Sequence, residues 1–133
     1  MISHASLYLA KARESLAGAA SEFALGRYDN CANRAYYACF QGAIAALLHA
    51  QIRPPGGGNA WSHSYVAAQF DGTLINRRKL YRAELRNNVA RNHLVRLRAD
   101  YEVDPVSQAE ASRALRRAQV LMADVQAQVE VTE

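Results

Sequence analysis

An all-α bundle is the fold that the sequence predicts, and three observations predict it. Of 133 residues, 26 are Ala and only 3 are Pro, a composition that favours helix. Apolar residues recur at helical spacing through most of the chain. The links between these stretches are short, which implies an up-and-down antiparallel arrangement of about five helices. The length suits one domain over residues 1–133, with no internal repeat and no linker composition.

The elements follow in order. A first helix is predicted from about Ser3 to Leu25, with Leu9, Ala12, Leu16, Ala19 and Phe23 on one face and Gly26 as its stop. A second runs from about Asp29, read as its N-cap, to Ala50. Ala32, Ala35, Tyr36, Cys39, Ala43, Ala46 and Leu47 form its wide apolar face. A Gly/Pro-rich loop over residues 53–60 then breaks the chain. A short helix is expected over Ser62 to Phe70, followed by a turn at Asp71-Gly72. A basic helix is expected from about Asn76 to Arg98, broken by Asp100 to Pro105. Ser107 and Glu110 form a capping box for the last helix. Its Ala111, Leu115, Ala118, Met122, Val125 and Val129 make a seam for neighbouring helices.

Composition removes several function classes. No apolar run reaches the length of a membrane span, so no transmembrane helix is expected. The first residues lack the pattern of a signal peptide, and a cytoplasmic location is expected. On one helix, Cys31 and Cys39 would be separated by roughly 12 Å of rise, too far for a disulfide. No Cys/His spacing suggests zinc, and no metal or cofactor is implied. The Gly56-Gly57-Gly58 run lacks the ending of a phosphate loop.

Charge singles out one segment. The net charge is +4, but residues 77–98 hold eight basic residues against one acid, Glu84; the segment carries +7 and the remainder −3. On one continuous helix turning by about 100° per residue, Arg82, Arg86 and His93 share a face with Val89 and Leu97. Arg96 lies about 60° to one side of His93. Arginines on an apolar face are partly buried against oxygen partners or lie at an interface. Arg78, Arg91 and Arg98 project elsewhere and could track a nucleic-acid backbone. The ordinary reading is that Arg86 pairs with a carboxylate of the bundle and that the other arginines are solvated. The alternative is chemical. Imidazole titrates near neutrality, and RNA carries its own nucleophile, so one Arg and one His doubled by a two-fold axis could supply the groups for cleavage. Tyr36, Tyr37 and Phe40 are read as core or interface, Trp61 as an anchor for the Gly-rich loop, and His63 as a capping or core residue within reach of the cleft.

At these residues the chain resembles HEPN-domain proteins, in particular the small prokaryotic branch associated with minimal nucleotidyltransferases. The matching stretches are Arg27-Tyr28-Asp29, Asn33-Arg34-Ala35-Tyr36-Tyr37-Ala38-Cys39-Phe40, Ser62-His63 with Val66 and Phe70, Arg96-Leu97-Arg98-Ala99-Asp100-Tyr101, and Val106-Ser107-Gln108-Ala109-Glu110-Ala111. Together they span a core of about residues 5–128. The resemblance implies a bundle that dimerises through its helices. It also implies a metal-independent endoribonuclease, the toxin of a toxin–antitoxin or defence pair. Arg86-Asn87-Asn88-Val89-Ala90-Arg91-Asn92-His93 fits the family's Arg-to-His signature. By that match, Arg86 would stabilise the scissile phosphate, His93 would act as acid or base, and Asn87 would orient them. Arg82, Arg91, Arg96, Asp100, Tyr101 and His63 are candidates for the RNA-binding cleft; in the branch matched best, Arg96, Asp100 and Tyr101 stand in the cleft instead of the Arg86/His93 pair. The implied partners are RNA, a second copy of the chain and a minimal nucleotidyltransferase antitoxin. The alternative function is a non-catalytic partner of such a nucleotidyltransferase.

Overall fold

The computed structural model of the chain describes residues 3–132. Five α-helices follow in order: α1 His4–Ala24, α2 Tyr28–His49, α3 His63–Gln69, α4 Asn88–Tyr101 and α5 Gln108–Thr132. No strand occurs among the described residues. α2 is the central helix and touches each of the other four. A continuous cluster of buried apolar side chains runs through all five, from Leu9 in α1 to Val129 in α5.

Local chemistry sets most of the ends. The Ser3 side chain accepts from the Ser6 amide at 3.1 Å, and Gly26 at φ +74 closes α1 in the left-handed region that favours glycine. The capping box of α5 forms in both directions: Glu110 N donates to Ser107 Oγ at 3.1 Å, and Ser107 N donates to Glu110 Oε1 at 3.2 Å. Every residue of the predicted apolar faces of α2 and α5 is buried. On α1, Leu9, Ala12 and Ala19 are buried, while Leu16 and Phe23 pack against the core at its edge. Gly42 brings α2 close to α5, because a Cβ there would lie 3.0 Å from both Leu121 Cδ2 and Met122 Sδ.

Three expectations are corrected. Asp29 is not the cap of α2. The helix begins one residue earlier, and the Asp29 carboxylate instead accepts the Val106 amide at 2.8 Å, tying the loop before α5 to the start of α2. Asp71-Gly72 is not a turn, because α3 runs into a wider π-helical stretch over Phe70–Arg77. The side chains of Phe70, Thr73, Leu74 and Ile75 are buried there, and this burial continues the winding past Gly72.

The third correction matters most for function. Residues 76–98 do not form one helix. The π-helical stretch ends at Arg77, a short 3-10 turn covers Ala83–Leu85, and α4 begins only at Asn88. Asn87 stands at φ +71, left-handed, and this breaks the winding between Arg86 and α4. Tyr81 and Leu85 are buried on either side of Arg82, so the segment is pinned as a loop by its own apolar anchors. Arg82 and Arg86 therefore do not share a helical face with His93.

A histidine pair and a basic loop as the candidate functional site

The break divides the predicted site into two groups. The first lies where α2, α3 and α4 meet. His63 opens α3 and His93 sits in the second turn of α4. Their rings stack face to face, with centroids 3.6 Å apart and planes 28° from parallel. Tyr36 of α2 lies beneath both, 5.2 Å from the His93 ring and 5.8 Å from the His63 ring. Its hydroxyl is 3.2 Å from His63 Nδ1. In the neutral ring with its proton on Nε2, the Tyr36 O–H donates to Nδ1. Both imidazoles are half-buried, so solvent still reaches them.

Arg96, one turn after His93, places its guanidinium 5.3 Å from the ring centroids of both Tyr36 and Tyr37. Its Nε is 3.2 Å from Asp100 Oδ2. This i, i+4 ion pair is not aligned as a hydrogen bond, and Arg96 Nε–H has no aligned acceptor among the described residues. The electrostatics follow from that arrangement. Burial, the neighbouring His93 and Arg96 lower the His63 pKa below the usual histidine value. Burial and Arg96 lower that of His93. Burial pushes the Tyr36 hydroxyl up to about 12, so it stays a neutral phenol. The cluster therefore favours the neutral form of both imidazoles beside a fixed cation, and a proton taken up by either is readily released.

The position of α4 is set by Asn92, which is fully buried. Its Nδ2 donates to the Ala114 carbonyl of α5 at 3.0 Å and faces Cys39 Sγ of α2 at 3.2 Å. Its Oδ1 accepts from Arg117 at 3.1 Å. This one side chain fixes the rotation of α4 against both neighbours, and so turns His93 toward α3. Neither spacing nor motif gives Asn92 a role, although a polar residue beside Val89 on a core-facing helix is a usable signal. Tyr36, expected as core or interface, is buried and forms the floor of the pair.

The second group is the loop before α4. Arg86 is exposed, and its Nη2 and Nε donate to Asn76 Oδ1 at 2.7 and 3.1 Å. The Asn87 amide donates to Asp71 Oδ2 at 3.0 Å. Burial raises the Asp71 pKa, while the Asn87 amide and the Arg86 charge pull it down. Arg86 thus has an amide partner rather than the carboxylate pair of the ordinary reading.

The remaining predicted residues fall outside both groups. Arg82 is bound to Asp124 of α5 and to Glu84. Arg91 is exposed on α4 and lies close enough to Arg117 to lower its pKa. Tyr101, the last residue of α4, is 78% exposed and makes no part of the histidine cluster. Arg98 pairs with Glu102 and Glu110, which docks the end of α4 on the start of α5.

A five-helix bundle with titratable groups at a helix junction defines a class of helical domain, and the comparison with protein families gives its name. The HEPN domain family matches residues 5–128, so the chain belongs to the HEPN family. No curated protein matches it. Among the described residues, no helix is long and apolar enough to cross a membrane.

Proposed function

We propose that the chain is an endoribonuclease that needs no metal, of the prokaryotic nucleotidyltransferase-associated HEPN branch, acting in the cytoplasm as the toxin of a toxin–antitoxin or defence pair. The observation that carries this reading is the stacked His63/His93 pair beside Arg96. HEPN membership supports it, since members of this family often cleave RNA.

The chemistry is transesterification. A neutral imidazole, His93, removes the proton of a ribose 2′-OH, and the resulting oxyanion attacks the adjacent phosphorus. The phosphorus–5′-oxygen bond breaks, a protonated imidazole returns a proton to the leaving 5′-oxygen, and a 2′,3′-cyclic phosphate remains. The acid is the imidazolium form of His63 or of the His93 of a second copy, the minority form that takes its proton from solvent before the step; the proton gained by His93 returns to solvent after it. Arg96 is the cation best placed to act on the same phosphate. Arg86, with Asn87 holding its loop, serves as a second cation when two copies meet across the cleft. Arg91 and Tyr101 are exposed and available to the strand, and Asp100 steadies Arg96.

The test is RNA cleavage in EDTA by the wild type, His93→Ala, Arg86→Ala and Arg96→Ala. Loss with His93→Ala and with at least one arginine variant is the expected result; equal cleavage by all four proteins sinks the proposal. A second reading draws on the same surface. Leu94 and Tyr101 are exposed on α4, 62% and 78%, and Arg82, Arg86 and Arg98 already have partners within the chain. A helix face of that kind suits a non-catalytic partner of a minimal nucleotidyltransferase. Co-purification with a neighbouring nucleotidyltransferase, together with no RNA cleavage, selects this second reading.

A further inference from the structure

A second concave site is lined by Trp61, two residues before His63 in the chain. A cavity of about 240 Å³ opens between the N-terminal half of α1, the C-terminal end of α2 and the loop that leads into α3. The reaction proposed above makes no use of it. Tyr8 and Trp61 give it aromatic walls, Leu48 an apolar base, Lys11 and Arg53 two cations, and Asn59 an amide. No carboxylate is among its described lining residues. Lys11 Nζ stands 5.7 Å from the centre of the Tyr8 ring, so charge and aromatic surface adjoin. The loop that carries the wall is fastened. The Tyr65 hydroxyl donates to the Arg53 carbonyl at 2.8 Å, and the Trp61 and Tyr65 rings lie 6.3 Å apart.

We propose that this cavity is a subsite for one unpaired base of an RNA strand, with Lys11 and Arg53 on the adjoining phosphate. The chemistry matches a nucleotide unit in each part. A base offers a π face to Trp61 and Tyr8, a polar edge to Asn59, and an attached anion to the two cations. The volume lies just under the roughly 300–1,000 Å³ of common small-molecule pockets, which suits one ring system and not two. The position joins it to the histidine pair. Trp61 and His63 are separated only by Ser62, so their Cα atoms lie within about 7 Å. A strand held at Trp61 therefore passes the imidazoles within a short reach, and the base held there sets which bond is presented to them. The assignment to a strand rests on the ribonuclease reading; the composition of the cavity does not.

Trp61 is the only tryptophan, so its emission reports this site directly. The experiment titrates the whole protein with adenosine, adenosine monophosphate, inorganic phosphate and a short 2′-O-methyl oligoribonucleotide that cannot be cleaved. The oligonucleotide is expected to quench Trp61 and to bind about tenfold more tightly than the mononucleotide. Lys11→Ala/Arg53→Ala is expected to weaken both phosphate-bearing ligands about tenfold while leaving adenosine within about twofold. Both side chains are exposed, and circular dichroism checks that the double variant keeps its helices. Quenching that the double variant does not change overturns the proposal, as does the absence of quenching by any ligand. A mononucleotide that binds as tightly as the oligonucleotide overturns the assignment to a strand. Cleavage by the wild type and by His93→Ala, assayed in parallel, separates the two proposals: quenching with no cleavage by the wild type removes the ribonuclease reading alone, and cleavage that His93→Ala abolishes, with no quenching by any ligand, removes the subsite alone.

Discussion

Arg96 and Arg86 come from one stretch of basic sequence and occupy opposite settings. Arg96 belongs to α4, is half-buried over two tyrosines, and acts on two histidines. Arg86 belongs to a loop that Asn87 bends through a left-handed residue, and its guanidinium is exposed against Asn76. The difference is one of preorganisation. Packing against α2 and α5 holds α4, so a charge there meets its neighbours at fixed distances. A loop cation keeps side-chain freedom and must be ordered by whatever it binds. Sequence spacing cannot separate the two, because it assigns both to one helix.

Variants test whether the helix and the loop differ in this way. The largest effect is expected at the histidine pair: His93→Ala lowers RNA cleavage by about 10²- to 10⁴-fold, measured under single-turnover conditions. If the preorganised cation carries the phosphate, Arg96→Ala costs more than Arg86→Ala in the same assay. The reverse order transfers the role to the loop.

The next effect falls on the platform. Asn92→Ala leaves the Arg117 guanidinium and the Ala114 carbonyl without their buried partner and lowers unfolding stability by about 2–3 kcal/mol in urea titration. Asp71→Ala removes the acceptor of the Asn87 amide and is expected to cost less, about 1–2 kcal/mol, because that amide can reach water. The pair of values measures how much more firmly α4 is held than the loop. Ser107→Ala removes the α5 cap and costs about 1 kcal/mol, measured the same way.

The smallest effect is the pH dependence of stability. His63 and His93 have folded pKa values below those of the unfolded chain, so the unfolded chain binds protons first as pH falls. Their contribution to stability is complete above the ordinary histidine value near 6.5 and is lost as pH falls from there through the folded values. The double variant His63→Ala/His93→Ala is expected to flatten that part of the curve. An unchanged slope between wild type and variant would contradict the lowered pKa values.

The fold was largely legible in the residues. The apolar faces of α2 and α5, the Ser107/Glu110 capping box and the Gly26 stop are local features, and each recurs in the structure. The site was legible only in part. His93 and Arg96 were marked because a charged residue on an apolar face is unusual within a single helix. His63 was placed within reach of a cleft, but its stacking on His93 depends on where α3 meets α4. Tyr36 reads as core or interface and Asn92 receives no assignment, because their polar atoms acquire partners only after α2, α3, α4 and α5 come together.

Periodicity, capping and composition act over one or two turns, and they suffice to specify the helices, their buried faces and the concentration of positive charge in residues 77–98. Which of those charges face the histidines is settled by tertiary packing. Burial of Ile75, Tyr81 and Leu85 outweighs the helical preference of the basic stretch, breaks it before Asn88, and leaves Arg86 and Arg96 on separate supports. That competition between local winding and apolar burial is settled by the neighbouring helices against which the side chains pack.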